Sequence, residues 1–148
     1  MSRTSSAKPG RRLSAAIVGL AVFLVVVAPA QARRKDNTPP TFAGLKSAIT
    51  CIPGPIGEGR TSSYHLSWEA ATDDFTPSNR IIYNVYQATT AGGEDFSQPT
   101  YTTAPGATSF DTPQLPSTKS FYFVVRARDQ AGNEDSNKVE RQGQNLCV

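Results

Sequence analysis

The sequence contains few of the residues that build metal or catalytic centres. It has one histidine, and its two cysteines, Cys51 and Cys147, lie far apart. Structural zinc sites use closely spaced cysteine and histidine ligands, so the sequence gives no support to one. His65 and Ser67 alternate outward on one predicted strand, with no orienting acid or oxyanion site evident beside them. No phosphate-binding glycine loop or dinucleotide fingerprint is present. We therefore predict no cofactor and no catalytic residue.

Long apolar runs are missing after the first 32 residues. Four basic residues precede an apolar run from Leu13 to Val27, and Ala30-Gln31-Ala32 follows it. This pattern is typical of a signal peptide, residues 1–32, cleaved after Ala32. The run has about 15 residues whereas a spanning helix needs roughly 20, so an uncleaved anchor is the less favoured alternative. No cysteine directly follows the run, which argues against a lipid anchor. The pair Arg11-Arg12 leaves twin-arginine export as an alternative to general secretion.

Excess positive charge is absent from the predicted mature chain. The whole sequence has 15 Lys and Arg against 12 Asp and Glu, but four of the basic residues and none of the acidic ones precede residue 33. Residues 33–148 therefore carry 11 basic and 12 acidic side chains, a net charge of −1. This balance gives no support to nucleic-acid binding. We predict a secreted or envelope-associated protein that binds no nucleic acid and, after cleavage, no membrane.

Short segments with the two-residue period of β-strands replace helical periodicity after residue 40. In residues 63–70, Tyr64, Leu66, Trp68 and Ala70 alternate with polar residues, which predicts that these four face a core. Repeated short strands with turn residues between them indicate an all-β sandwich or barrel. The predicted strands are Phe42–Thr50, Ser63–Ala70, Arg80–Thr89, Pro99–Thr103, Thr108–Thr112, Phe121–Arg128 and Asn137–Gln142.

The order of these segments resembles a fibronectin type III domain. The matching pieces are Thr38-Pro39-Pro40-Thr41-Phe42, Leu66-Ser67-Trp68, Ile82-Tyr83-Asn84-Val85-Tyr86, and Phe121 to Asp129 followed by Ala131-Gly132-Asn133. The resemblance implies a seven-stranded immunoglobulin-like β-sandwich over residues 41–148, with residues 33–40 as a flexible linker. One departure is Phe121, which stands where the family usually has a tyrosine six residues after a leucine, here Leu115.

The two cysteines suggest a disulfide bond, because an even number of cysteines in an exported protein is typical of one. Two free thiols are the alternative. The resemblance implies that the loop after the first predicted strand, Phe42–Thr50, and the end of the last, Asn137–Gln142, lie at the same end of the sandwich. It therefore implies a bond between Cys51 and Cys147.

Acidic residues in two loops, which the resemblance places at one end of the fold, offer a calcium alternative to the prediction of no metal. Calcium takes six to eight oxygen ligands, and carboxylates are among them. The other interpretation is that these side chains only shape their turns. The candidate ligands are Asp73, Asp74, Asp129, Asn133, Glu134 and Asp135.

The resemblance places the predicted strands Arg80–Thr89 and Phe121–Arg128 side by side. Their outer face is the candidate binding face. Tyrosine and arginine are favoured at interfaces, although the same residues also suit any strand. Its residues are Ile82, Tyr86, Tyr122, Val124, Arg126 and Arg128. We predict an exported, non-catalytic binding or adhesion module whose partner is an extracellular or envelope protein or polysaccharide. The alternatives are a structural envelope domain, or a small hydrolase or inhibitor with no recognisable site.

Overall fold

The computed structural model describes residues 34–52, 54 and 56–146, which belong to one compact unit. The predicted signal peptide, Arg33 and Cys147 lie outside the described residues. In the described part of the chain, no helix has the length and apolar character needed to cross a membrane.

The described residues are almost entirely strands and loops, which confirms the all-β prediction. They contain one short 3-10 turn, Ser78–Arg80, and no α-helix. The strands are β1 (Ser47–Thr50), β2 (Thr61–Ser62), β3 (His65–Ser67), β4 (Ile82–Ala88), β5 (Tyr101–Thr102), β6 (Ser109–Asp111), β7 (Leu115–Pro116), β8 (Tyr122–Arg128), β9 (Glu140–Gln142) and β10 (Gln144–Asn145).

The strands form two four-stranded sheets in a sandwich-like arrangement. One sheet has the order β10-β1-β3-β6, and the other has the order β5-β4-β8-β9. A separate ribbon pairs β2 with β7. The longest ladder joins β4 and β8 antiparallel over seven residue pairs, from Ile82 opposite Arg128 to Ala88 opposite Tyr122. This ladder is the central part of the second sheet and fixes the residues that its two faces present.

Alternation along β3 and β4 correctly predicted much of the core between the sheets. Leu66, Trp68, Tyr83 and Val85 are all buried, as their period-two spacing predicts. The rings of Trp68 and Tyr83 lie 5.2 Å apart, a separation typical of favourable aromatic pairs. Phe121 is also buried, so its ring fills the core although it has no hydroxyl.

The alternation fails at the end of β3. It predicts that Ala70 faces the core, but Ala70 is exposed and Ala71 is buried. The strand ends at Ser67, and the Ala71 N–H donates a hydrogen bond of 2.8 Å to the Tyr83 hydroxyl. This bond turns the chain so that the next residue along, rather than Ala70, points inward.

The last predicted strand, Asn137–Gln142, contains β9, and the chain then crosses to the other sheet as β10. β9 pairs with β8 in one sheet, whereas β10 pairs parallel with β1 in the other, with Thr50 opposite Asn145. Gly143 lies at the crossing, and its N–H donates a hydrogen bond of 2.8 Å to the Phe121 carbonyl. The buried ring of Tyr64 lies directly against Gly143, so a Cβ atom there would overlap it. Only glycine fits where the chain changes sheets.

We expect Gly143→Ala to destabilise the protein by about 1–3 kcal/mol, the usual cost of overpacking. The Tyr64 ring has little room to move, because it packs against Phe121 at 5.9 Å and Phe123 at 5.6 Å. Denaturant unfolding would measure the loss. Gly57→Ala is the matched control, because a Cβ at Gly57 meets no atom within 4 Å. Equal stability of the two variants would contradict the crossing described here.

Candidate functional site

The predicted binding face of β4 and β8 is covered, so the prediction of an exposed patch is wrong. Tyr86 is 2% exposed and Val124 is 1% exposed. Residues 89–100, here called the cover segment, fold back over this face. The Phe96 ring lies 5.1 Å from the Tyr86 ring in an edge-on contact. The patch is therefore a second, smaller core rather than a free surface.

Charged groups complete this covered face. The Arg126 guanidinium lies 3.7 Å from the centre of the Phe96 ring, a close cation–π contact. The Glu134 carboxylate accepts hydrogen bonds from the Asn84 amide and from the Tyr86 hydroxyl. Arg126 is 3.7 Å from the same carboxylate, and its side chain is only 12% exposed. These contacts hold side chains from two strands, β4 and β8, and from two loops in one arrangement.

The remaining residues of the predicted face lie at its margin. Ile82 and Tyr122 are half-buried, and Arg128 is exposed. The prediction failed because exposure of this face depends on a segment that folds back from the end of β4. Phe96 was the available signal, since phenylalanine side chains in folded proteins are most often buried.

The titration of Tyr86 tests whether the face is closed. Burial, followed by the hydrogen bond to Glu134 and the charge of that carboxylate, raises the pKa of Tyr86 to about 12, from 10.0. The native state therefore keeps a proton that the unfolded chain loses above pH 10, and stability falls as pH rises through this window. We expect Tyr86→Phe to remove the tyrosinate absorbance change near pH 12 and to weaken the fall in stability. Ionisation of Tyr86 near pH 10 would mean that the face is open.

Two carboxyl groups meet beneath the cover segment. Glu94 lies beside Glu140 at a cavity of about 260 Å³ that is also lined by Val124 and Phe96. Glu140 accepts a hydrogen bond of 2.6 Å from the Gly92 N–H, which ties the segment to β9. Burial first, and the Glu140 charge as well, raise the pKa of Glu94. The ionised pair therefore opposes closure of the segment.

We expect Glu94→Gln to raise the melting temperature at pH 7. The native carboxyl binds its proton more tightly than the unfolded one, whose pKa is 4.5. Its contribution to stability is therefore fully present below pH 4.5 and is lost as pH rises through the native pKa. The gain from the substitution should shrink toward zero at pH 4. Glu58→Gln, at an exposed turn, is the control and should give no pH-dependent gain.

A cluster of carboxylates lies at the end of the sandwich that carries the loop after β3. One carboxylate oxygen from each of Asp36, Asp73 and Asp74 lies within 4.8 Å of the others. Asp36 reaches this position because the chain just after it is fixed, with Thr41 forming a two-bond bridge to Thr72. Asp73 and Asp74 belong to the predicted calcium candidates, whereas Asp36 was assigned to the linker.

The other calcium candidates lie in the loop after β8, and each has protein partners. Asp129 is 4% exposed, and its two oxygens accept bonds of 2.8 and 2.7 Å from the main chain and side chain of Asn133. Asp135 accepts from the N–H groups of Ala127 and Asn137. Glu134 belongs to the covered face. The structure therefore does not bring Glu134 or Asp135 into the cluster, and Asn133 and Asp129 act as a supporting turn.

The acidic end also has an open cavity and an exposed ring. The cavity has a volume of about 400 Å³ and is lined by Thr38, Pro39, Thr41, Thr72, Asp73 and Asp74. Phe75, next in the loop, is 47% exposed. The hydrogen bond from Thr38 lowers the pKa of Asp36, but burial and the negative charges of Asp129, Asp73 and Asp74 outweigh it and raise that pKa. Asp73 and Asp74 give the cavity an acidic wall.

The single histidine has an acidic partner that the alternation pattern did not predict. The His65 ring nitrogen Nδ1 lies 2.7 Å from an Asp111 oxygen across β3 and β6, and both side chains are well exposed. The nearby Ser63 hydroxyl donates to the Thr112 carbonyl instead of to the ring. The geometry is a surface ion pair. The described contacts place no nucleophile on His65.

The surroundings of Cys51 bear on the predicted disulfide. Cys51 is not a free thiol. It follows β1, where the Leu146 N–H donates 2.9 Å to the Thr50 carbonyl and the Ile52 N–H donates 2.8 Å to the Asn145 side chain. The two chain segments therefore run side by side up to residue 146. Cys147 lies outside the described residues, so its pairing with Cys51 stays a prediction.

No protein-family model, curated protein or solved structure matches this chain. The function of the candidate site therefore has to be inferred from the geometry of the site.

Proposed function

We propose that the chain is an exported, non-catalytic binding or adhesion module built on a fibronectin type III-like sandwich. The division of its main strands supports this proposal, because β1, β3 and β6 share one sheet and β5, β4, β8 and β9 share the other. Two packed sheets with antiparallel Greek-key connections are the architecture of such extracellular domains. Export rests on the predicted signal peptide.

The single observation behind the binding role is the open end of the sandwich after β3. There Phe75, which is 47% exposed, directly follows Asp73 and Asp74, two of the residues that line the cavity of about 400 Å³. An exposed aromatic ring next to hydrogen-bonding groups is a common means of recognition, since it offers a large contact area at a low entropic cost. Loops on a rigid scaffold are also where binding residues concentrate. We assign the recognition of an extracellular or envelope glycan or protein to this end.

We expect Phe75→Ser to weaken binding at least tenfold and to leave the melting temperature nearly unchanged, because Phe75 contributes little to the core. Purified residues 33–148 would be titrated against isolated envelope polysaccharide and, separately, against immobilised envelope proteins from the producing cell. Saturable binding in one arm identifies the class of partner. Ile56→Ser is the matched control, since Ile56 is 56% exposed but lies in the loop after β1.

Three outcomes would contradict the proposal. No saturable binding in either arm would favour a structural envelope domain. Cleavage of the polysaccharide that disappears in a His65→Ala variant would favour a hydrolase that uses the His65–Asp111 pair. Binding that Ile56→Ser and Phe75→Ser weaken equally would place recognition away from the acidic end.

A further inference from the structure

The acidic cluster joins two distant parts of the chain. Asp36 precedes the first bridge of the sandwich, whereas Asp73 and Asp74 lie in the loop after β3. Their carboxylate oxygens nevertheless lie within 4.8 Å of one another. Like charges at this separation repel, so an arrangement of three carboxylates needs a compensating contact.

Two of the three carboxylates each use one oxygen to hold the local backbone. Asp36 accepts a bond of 3.1 Å from the Thr38 N–H with Oδ1. Asp73 accepts bonds of 3.0 and 2.7 Å from the N–H groups of Phe75 and Thr76 with Oδ2. The first oxygen of each residue therefore fixes the local backbone and orients the second.

The second oxygens are buried and have no partner. Oδ2 of Asp36 and Oδ1 of Asp73 are both shielded from solvent, and neither accepts a hydrogen bond from any described residue. A buried carboxylate oxygen without a partner is costly, and native structures rarely leave one so. Turn formation alone does not explain why these two oxygens are buried without a partner, because the turns use the other oxygen of each residue.

No basic side chain of the described chain compensates this charge. The salt bridges among residues 34–52, 54 and 56–146 involve Glu69, Asp111 and Glu134, and none involves the cluster. A fourth carboxylate, Asp129, adds its negative charge to that of Asp73 and Asp74 at Asp36. With no salt bridge from a described residue, this charge can be compensated by a cation from solution.

We propose that Asp36, Asp73 and Asp74 bind a calcium ion. Only oxygen ligands are present, which suits a hard cation rather than zinc. Calcium–oxygen distances are about 2.3–2.6 Å, so two oxygens on opposite sides of one ion are separated by roughly 4.6–5.2 Å. Oxygens within 4.8 Å of one another can therefore surround one ion. Water and backbone carbonyls supply the remaining ligands, as is usual for calcium.

The ion ties the segment before the sandwich to the loop after β3. Asn133 already holds this segment weakly, with its side-chain nitrogen 3.5 Å from the carbonyls of Asp36 and Thr38. Calcium adds direct bonds from the Asp36 side chain to the loop that presents Phe75. This inference goes beyond the proposed recognition function and does not depend on it, since the ion can bind whether or not a partner does.

Calorimetric titration of metal-free residues 33–148 with calcium chloride tests the site. We expect one site with a dissociation constant on the order of 10⁻⁴–10⁻³ M, as in extracellular modules. The melting temperature should rise when calcium exceeds this constant, because the ion binds only the folded state. Magnesium at the same concentration should give a much smaller rise, which separates a site from general charge screening.

Asp36→Asn and Asp73→Asn test the ligands, and each should weaken calcium binding at least tenfold. Asparagine keeps an oxygen for the local N–H bonds, so both variants should fold. In EDTA, Asp36→Asn should melt at a higher temperature than the unsubstituted protein, because it removes repulsion. A residue that only shaped its turn would not produce this gain.

Asp95→Asn is the matched control. Asp95 also caps a turn, with a bond of 2.9 Å from the Ser97 N–H, but it lies in the cover segment. This variant should bind calcium with unchanged affinity. Absence of both heat and a thermal shift at 5 mM calcium, roughly five times the upper dissociation constant, would overturn the proposal. Equal responses to magnesium and calcium, or unchanged affinity in both ligand variants, would overturn it as well.

Discussion

The buried side chain of Tyr83 is the contact on which both the core and the acidic end depend. Its ring lies 5.2 Å from Trp68 and 5.3 Å from Phe42, and the residue is completely buried. Its hydroxyl accepts the Ala71 N–H and so fixes the start of the loop that contains Asp73 and Asp74. Phe42 follows the segment with Asp36. The Tyr83 side chain therefore supports both the segment that contains Asp36 and the loop that contains Asp73 and Asp74.

Local alternation predicts only the parts of the fold that local geometry decides. Leu66 and Tyr83 face the core because neighbouring residues on a strand point to opposite faces. Tyr86 obeys the same rule and points away from that core, yet it is buried because the cover segment folds over it. The burial of Tyr86 depends on a long-range contact with the cover segment. The two-residue period of a strand carries no information about such a contact.

Only part of the candidate site could be predicted from the sequence, for a similar reason. Asp73 and Asp74 stand out in the sequence as a pair of carboxylates next to a strand. Asp36 does not, since it lies in a polar stretch typical of a linker, and its role appears only when the bridge from Thr41 to Thr72 places it. Glu134 and Asp135 satisfied the same composition rule but have partners elsewhere. Composition identifies candidate ligands, whereas the contacts between loops select among them.

Residues 33–148 are nearly neutral in sum, yet their charges are separated in space. The cations Lys46 and Arg126 are engaged away from the acidic end, the first 2.8 Å from Glu69 and the second against Phe96 and Glu134. Three carboxylates, those of Asp36, Asp73 and Asp74, lie close together at the open end, and none of the salt bridges among the described residues involves them. Such a field extends about 8 Å at physiological salt, which covers the whole cavity. It repels polyanions, so an acidic wall polymer can approach this end only when a bound cation bridges the two. A neutral glycan or a basic protein segment would need no such bridge, so the proposed recognition agrees best with partners of these chemistries.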